Sequence, residues 1–248
     1  MLDIQPFKGT RPYNEQAENL IAPSTDQLNE KNIIDIHEKN YWNYLKILNP
    51  VGKNKEVEAL LAARNHFFEM KRNHIIKQDS KQSYYVYEIK TTTHTQVGFL
   101  AVTNIQSFIS NKVRGHELTY EKRSQERANQ MLNIDTQIGP IYVSYEDNNE
   151  LDNFILDLTL SNPEYQFLAF DNSKHTLWCV NNNSHINKLT FLANKLDYFY
   201  IADGHHRIEA IKKIFEIKSS QNANHTGFEG YNYFMVSAFP KSQSKIYD

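Results

Sequence analysis

Apolar positions follow two different periods along this chain, and the point where one gives way to the other organises the rest. Tyr198-Phe-Tyr-Ile201 is a short run of aromatic and β-branched residues, the pattern of a buried strand. Beyond Gly204, apolar residues recur at Ile208, Ile211 and Phe215, with Ala210 and Ile214 beside them, which is helical spacing. Asp203 and Gly204 are therefore expected in a tight strand-to-helix turn. His205, His206 and Arg207 then fall on the helix's first turn.

The same reading divides the remaining chain. Ala22-Pro-Ser-Thr-Asp26 is a turn in which Ser24 or Thr25 would cap a short helix over 26–31. Residues 40–47 fit strand and helix equally well. Val57, Leu60, Leu61, Phe67 and Phe68 predict a helix over 54–76. Strands over 84–89 and 97–102 form an expected hairpin, followed by a helix over 104–112. Thr119 would cap a helix over 120–131. Gly139-Pro140 precedes a strand over 141–145, and Leu151, Phe154, Ile155 and Leu158 mark the next helix. Strands over 165–170 and 176–180, a helix over 185–196, a polar loop over 219–230 and a strand over 233–238 complete the pattern.

This irregular alternation predicts an α/β (α+β) fold, a mixed sheet flanked by helices, and not a doubly wound one. One domain over 1–248 is expected, with a weak subdivision near Gly139. The chain stops close behind a strand, so a carboxy-terminal truncation is also expected.

Composition narrows the chemistry. The 248 residues suffice for a substantial core, and a net charge of −2 gives no push toward nucleic acid. Cys179 is the sole cysteine, which excludes an internal disulfide and fits a reducing cytoplasm. No run reaches membrane-spanning length, and the G-x-x-x-x-G-K-[ST] phosphate loop is missing. Nothing in the sequence fixes an oligomeric state.

A helix start stabilises an anion through its unpaired N–H groups and its dipole. Gly204 would let the backbone come close, and Arg207 could grip two phosphate oxygens. The plainer reading is that Asp203 caps the helix and Arg207 is a surface charge. A zinc site fits less well, because adjacent histidines on a helix point about 100° apart. A second cluster, His116 and Glu117 beside Thr119, offers a carboxylate that could take a proton from a hydroxyl. Arg127 and Asn129 would reach a ligand only if their helix crosses the site. Lys8 and Arg11 are cations near the amino terminus. Each of these has an ordinary reading as a solvated group or a surface ion pair.

Several segments together resemble the bacterial and archaeal family known as domain of unknown function 1015. They are Pro6-Phe-Lys8 with Arg11-Pro12, Ala22-Pro23, Asn40-Tyr41, Gly115-His-Glu-Leu-Thr119, Glu126-Arg127, Gly139-Pro-Ile141, Tyr200-Ile-Ala-Asp-Gly-His-His-Arg207 and Asn232-Tyr-Phe234. The D-G-H-H-R element is also similar to that of ParB and sulfiredoxin-like nucleotide-binding proteins. The resemblance implies a ParB/sulfiredoxin-like phosphate-binding strand-turn-helix. It further implies a cytoplasmic kinase acting on free L-serine, with ATP, ADP or pyrophosphate as donor.

On this view Glu117, His116, His205 and Asp203 are the catalytic candidates. Gly204, His206, Arg207, Arg127, Lys8, Arg11, Thr119 and Asn129 would bind the donor and its Mg²⁺. A ParB-like nucleotide-sensing or DNA-binding regulator is the alternative. A metal-dependent hydrolase using His116, His205 and Asp203 is a third. Four positions depart from the family's usual residues. Gly115 replaces Lys, Tyr120 replaces Arg, Ser24 replaces Tyr and Gln130 replaces His. Two cations and one histidine are thus missing from the implied site, which points to weakened activity, a different donor or a degenerate copy.

Overall fold

Strands β4 (Tyr84–Lys90) and β5 (Thr95–Asn104) form the expected antiparallel hairpin, with Tyr85 opposite Leu100 and Tyr87 opposite Gly98. In this computed structural model, residues 2–13, 16–23, 28–49 and 56–244 are described. The hairpin is the middle of a mixed sheet. Beyond β4 lie β9 (Lys174–Val180) and β8 (Tyr165–Leu168), both antiparallel. Beyond β5 come β11 (Tyr233–Pro240), β7 (Ile141–Tyr145), β10 (Phe199–Asp203) and β6 (Val113–Arg114). The pairs β11–β7 and β10–β6 are parallel. Strand β1 (Ile4–Gln5) also pairs with β5, and β2 (Thr10–Pro12) pairs separately with β3 (Ile76–Gln78). The expected mixed α/β architecture is the observed one.

Alternation along the strands sends one set of side chains to each face. Tyr84, Val86, Phe99, Ala101, Val143, Tyr145, Phe199 and Val236 are buried on the first face. Helices α7 (Asn149–Leu158) and α8 (Asn183–Ala193) cover it. The tyrosine hydroxyls find partners in those helices: Tyr145 donates to Asp152 at 2.8 Å, and Tyr84 lies 2.7 Å from the Thr190 hydroxyl. Each buried large side chain contributes roughly 1.5–3 kcal/mol. On the second face, Tyr85, Tyr87, Leu100, Val102, Leu177 and Met235 border a cavity of about 1550 Å³. Its other lining residues include Phe67 of α4 (Glu56–Arg72), Met131 of α6 (Glu121–Ile134) and Ile214 of α9 (His205–Gln221).

Several element ends differ from the sequence reading. Helix α2 (Glu30–Lys39) starts later than expected, because the Asn29 side chain accepts the Asn32 N–H. The expected Ser24 or Thr25 cap lies outside the described residues. Residues 40–47 resolve into a turn and a short helix, α3 (Leu45–Leu48). A further one-turn helix, α1 (Ala17–Leu20), precedes them. Helix α5 (Ile105–Ile109) is shorter than expected, and Asn111 beyond it has a positive φ of 59°. Thr119 does not cap α6: Tyr120 holds the cap position, with no side-chain bond. Helix α9 runs on to Gln221, into the stretch expected as loop.

Candidate functional site

Strands β6 and β10 lie side by side and parallel, with Val113 opposite Phe199 and Arg114 opposite Tyr200. Parallel neighbours end at the same sheet margin. The loop 115–120 and the turn at Asp203–Gly204 therefore emerge together, and α6 and α9, whose starts are joined through Tyr120 and His206, pack against each other. Neither helix start carries a side-chain cap, so first-turn N–H groups concentrate here. In open α/β sheets this margin, beyond the carboxyl ends of strands, is where ligands bind.

Gly204 makes the turn possible. Its φ is +103°, and a Cβ there would come within 3.2 Å of Ile141 Cδ1 and 3.3 Å of Arg207 Cζ. Gly115 allows a close approach of another kind: a Cβ there would sit 3.0 Å from His205 Cδ2. The loop strand thus lies directly against the first histidine of the helix.

His205 is buried, with 5% of its surface exposed. The His116 backbone N–H donates to its Nε2 at 3.3 Å, so the neutral ring carries its proton on Nδ1. That Nδ1 is 3.1 Å from Glu117 Oε2. Burial pushes the His205 pKa below its ordinary value; Glu117 opposes the shift and His116 reinforces it. The His116 ring meets His205 edge-on, 4.7 Å between centroids. One residue on, His206 Nε2 accepts the Tyr120 backbone N–H at 3.1 Å, and the two rings stack 6.0 Å apart.

Arg207 donates to the Asp203 carboxylate and to the Pro140 carbonyl. Its guanidinium thereby ties the turn to the residues entering β7, and two of its donors are committed within the protein. The i,i+4 spacing of Asp203 and Arg207 is the sequence signal for this pair. Asp203 is not the helix cap; Gly204 occupies that position. Glu117 and Asp203 keep exposed carboxylates, and Leu118 beside them is 95% exposed.

The other expected site residues are placed elsewhere. Arg127 donates to Gln130 on its own helix, at 3.0 Å. Asn129 donates to Glu56 of α4, also at 3.0 Å. Thr119 is half-buried in the loop. Lys8 and Arg11 line the cavity on the sheet's second face, which none of residues 115–120 or 203–207 lines. Arg11 is held there by Asp79 at 2.8 Å, Glu164 at 2.7 Å and the Tyr165 hydroxyl. Among the described residues, no group of three or more His, Cys, Asp and Glu side chains is placed to hold a metal ion.

Two features escaped the sequence reading. One is the Pro140 carbonyl as a partner for Arg207. The other is a chain of contacts at the cavity wall, where His175 lies 2.5 Å from the Tyr87 hydroxyl and 2.7 Å from that of Ser173. Alternating tyrosines in β4 were the available signal for the second.

A family model described as "Protein of unknown function (DUF1015)" matches residues 4–248. Comparisons with curated proteins and with solved structures return no match.

Proposed function

The chain belongs to the DUF1015 family, so its chemistry has to be argued from the site, and on that premise we propose a phosphotransferase acting on a small-molecule hydroxyl, that of free L-serine. The observation that carries this reading is the Glu117 carboxylate beside neutral His205, at a margin where two uncapped helices begin. Phosphoryl transfer asks a protein mainly for positioning and for positive potential around the moving group. The helix starts supply that potential.

Glu117 takes the proton of the serine hydroxyl as its oxygen attacks the donor's terminal phosphorus. The new O–P bond forms as the bridging P–O bond breaks, and the shortened donor leaves with that bonding pair. The first-turn N–H groups of α9 hold the transferred phosphoryl oxygens. Arg207 keeps the turn in place through Pro140.

Mg²⁺ in such sites is bound by one or two carboxylates, with donor phosphate oxygens and waters completing its shell. The largely exposed Asp203 carboxylate fits that mode, and a cage of protein ligands is not needed. When bound, Mg²⁺ neutralises charge on the donor's phosphates, with Asp203 as the side chain that would hold it.

The test is direct. Purified protein is incubated with L-serine and ATP, ADP or pyrophosphate in turn, and O-phosphoserine is measured. Product from one donor, lost in Glu117→Gln, is the expected result. A folded protein that makes no phosphoserine from any donor refutes the proposal.

A further inference from the structure

We propose that His205 and His206 are positioning residues: adjacent in sequence, they pin the two ends of the loop that presents Glu117, and their Nε2 atoms serve that loop and not the phosphoryl group. The inference rests on the phosphotransferase reading only for the task given to Glu117.

The two histidines diverge on the first turn of α9, and each meets a different backbone donor of the loop. His205 accepts the N–H of His116 at 3.3 Å; His206 accepts the N–H of Tyr120 at 3.1 Å. Glu117 sits between the two pinned amides. Each bond is backed by a ring contact, edge-on with His116 and stacked with Tyr120. Both rings therefore act through a lone pair on Nε2. A lone pair repels a phosphate oxygen, so these nitrogens serve the loop and not an anion.

Gly115 fits the same design. A Cβ at this position would meet His205 Cδ2 at 3.0 Å, so any other residue would press on the ring. The remaining nitrogen of His205, Nδ1, sits 3.1 Å from the Glu117 carboxylate and sets where that carboxylate points. Across α6 and α9, the Lys213–Glu121 ion pair fastens the helices just beyond the loop. The loop is then held from both ends and its free section is short. Leu118, almost fully exposed, shows that apolar packing does not hold it.

Hydrogen exchange read amide by amide tests this without reference to catalysis. In His206→Phe, the Tyr120 amide should exchange up to ~10-fold faster, the scale of one lost hydrogen bond, while amides in the middle of α9 stay unchanged. His206→Gln, whose side-chain carbonyl can accept the same N–H, should restore protection. His206 is half-buried, which makes it the safer variant; His205→Gln and His205→Leu repeat the comparison at His116. Unchanged exchange at Tyr120 in His206→Phe overturns the proposal. In turnover with the active donor, His206→Phe should lower kcat with little change in donor KM. A raised donor KM at constant kcat would instead make His206 a phosphate ligand, and would also overturn it. Should no donor support turnover, the exchange result still decides for or against the pinned loop.

Discussion

His205 Nδ1 stands 3.1 Å from Glu117 Oε2, although one residue opens helix α9 and the other lies in the loop after β6, two places that the parallel pairing of β6 and β10 brings together. The ring is buried and neutral, the carboxylate half exposed. A buried orienting group behind an accessible acid or base is the arrangement a proton-transfer site needs.

Glu117→Gln keeps the shape and removes the base. Phosphoserine formation should fall by roughly 10²–10⁴-fold with unfolding midpoints unchanged, measured by turnover and by denaturant titration. An equal loss in Glu117→Gln and Glu117→Asp would argue that position matters more than proton affinity.

Asp203 and Arg207 should respond very differently to removal. The Asp203 side chain is 73% exposed, so Asp203→Ala should change stability by less than about 1 kcal/mol. Arg207→Met leaves the Pro140 carbonyl without its donor and should cost roughly 1–3 kcal/mol. Urea titration of both variants makes the comparison.

Gly204→Ala tests the turn. A φ of +103° is hostile to any side chain, and the added Cβ would press on the Arg207 guanidinium at 3.3 Å. The substitution should destabilise the fold by about 1–2 kcal/mol, read from denaturant midpoints.

Arg11 should prove structural. Its guanidinium is 14% exposed and its partner Asp79 11%, and Asp79 also accepts the Tyr85 hydroxyl at 2.6 Å. Arg11→Met leaves two carboxylates facing each other and should cost roughly 3 kcal/mol. Unaltered stability together with a weakened donor KM would return Arg11 to the list of donor ligands.

Acid should weaken the protein before its carboxylates titrate. Burial, with help from Lys46, holds His66 down from 6.5 to about 4, and its Nε2 has no hydrogen-bond partner among the described residues. His37, His175 and His205 are lowered in the same sense, each mainly by burial. Between these two pKa values the unfolded chain binds a proton at His66 that the folded chain refuses. Stability is therefore full above pH 6.5 and is lost as pH falls toward 4. Denaturant midpoints taken across that range should show the slope, and His66→Gln should flatten it.

The β10–α9 junction and the β4–β5 hairpin were legible because local pattern and long-range packing agree there. The run from Tyr198 to Ile201, Gly204 and the apolar spacing to Phe215 all demand one arrangement. Thr119 shows where such reading stops. A threonine before a helix is a sound cap on local grounds, yet α6 begins one residue later than expected and Tyr120 takes the cap position. Asp203 and Arg207 were each singled out, but their partnership consumes donors that a phosphate was expected to use. Resemblance groups Lys8 and Arg11 with the site; the fold carries them to the cavity on the sheet's other face. Periodicity gives which face a residue occupies within its own element. It carries no information about which two elements end at the same margin.

Strand β6 contributes only two residues, Val113 and Arg114, at the border of the sheet. So short a strand is the first part of such a structure to detach under mild stress, well before the hairpin at the centre gives way. Fraying of that border would carry Glu117 off while leaving the tyrosine-rich interior intact. Inactivation by dilute denaturant should accordingly run ahead of the change in tyrosine fluorescence, as two separate transitions in one titration.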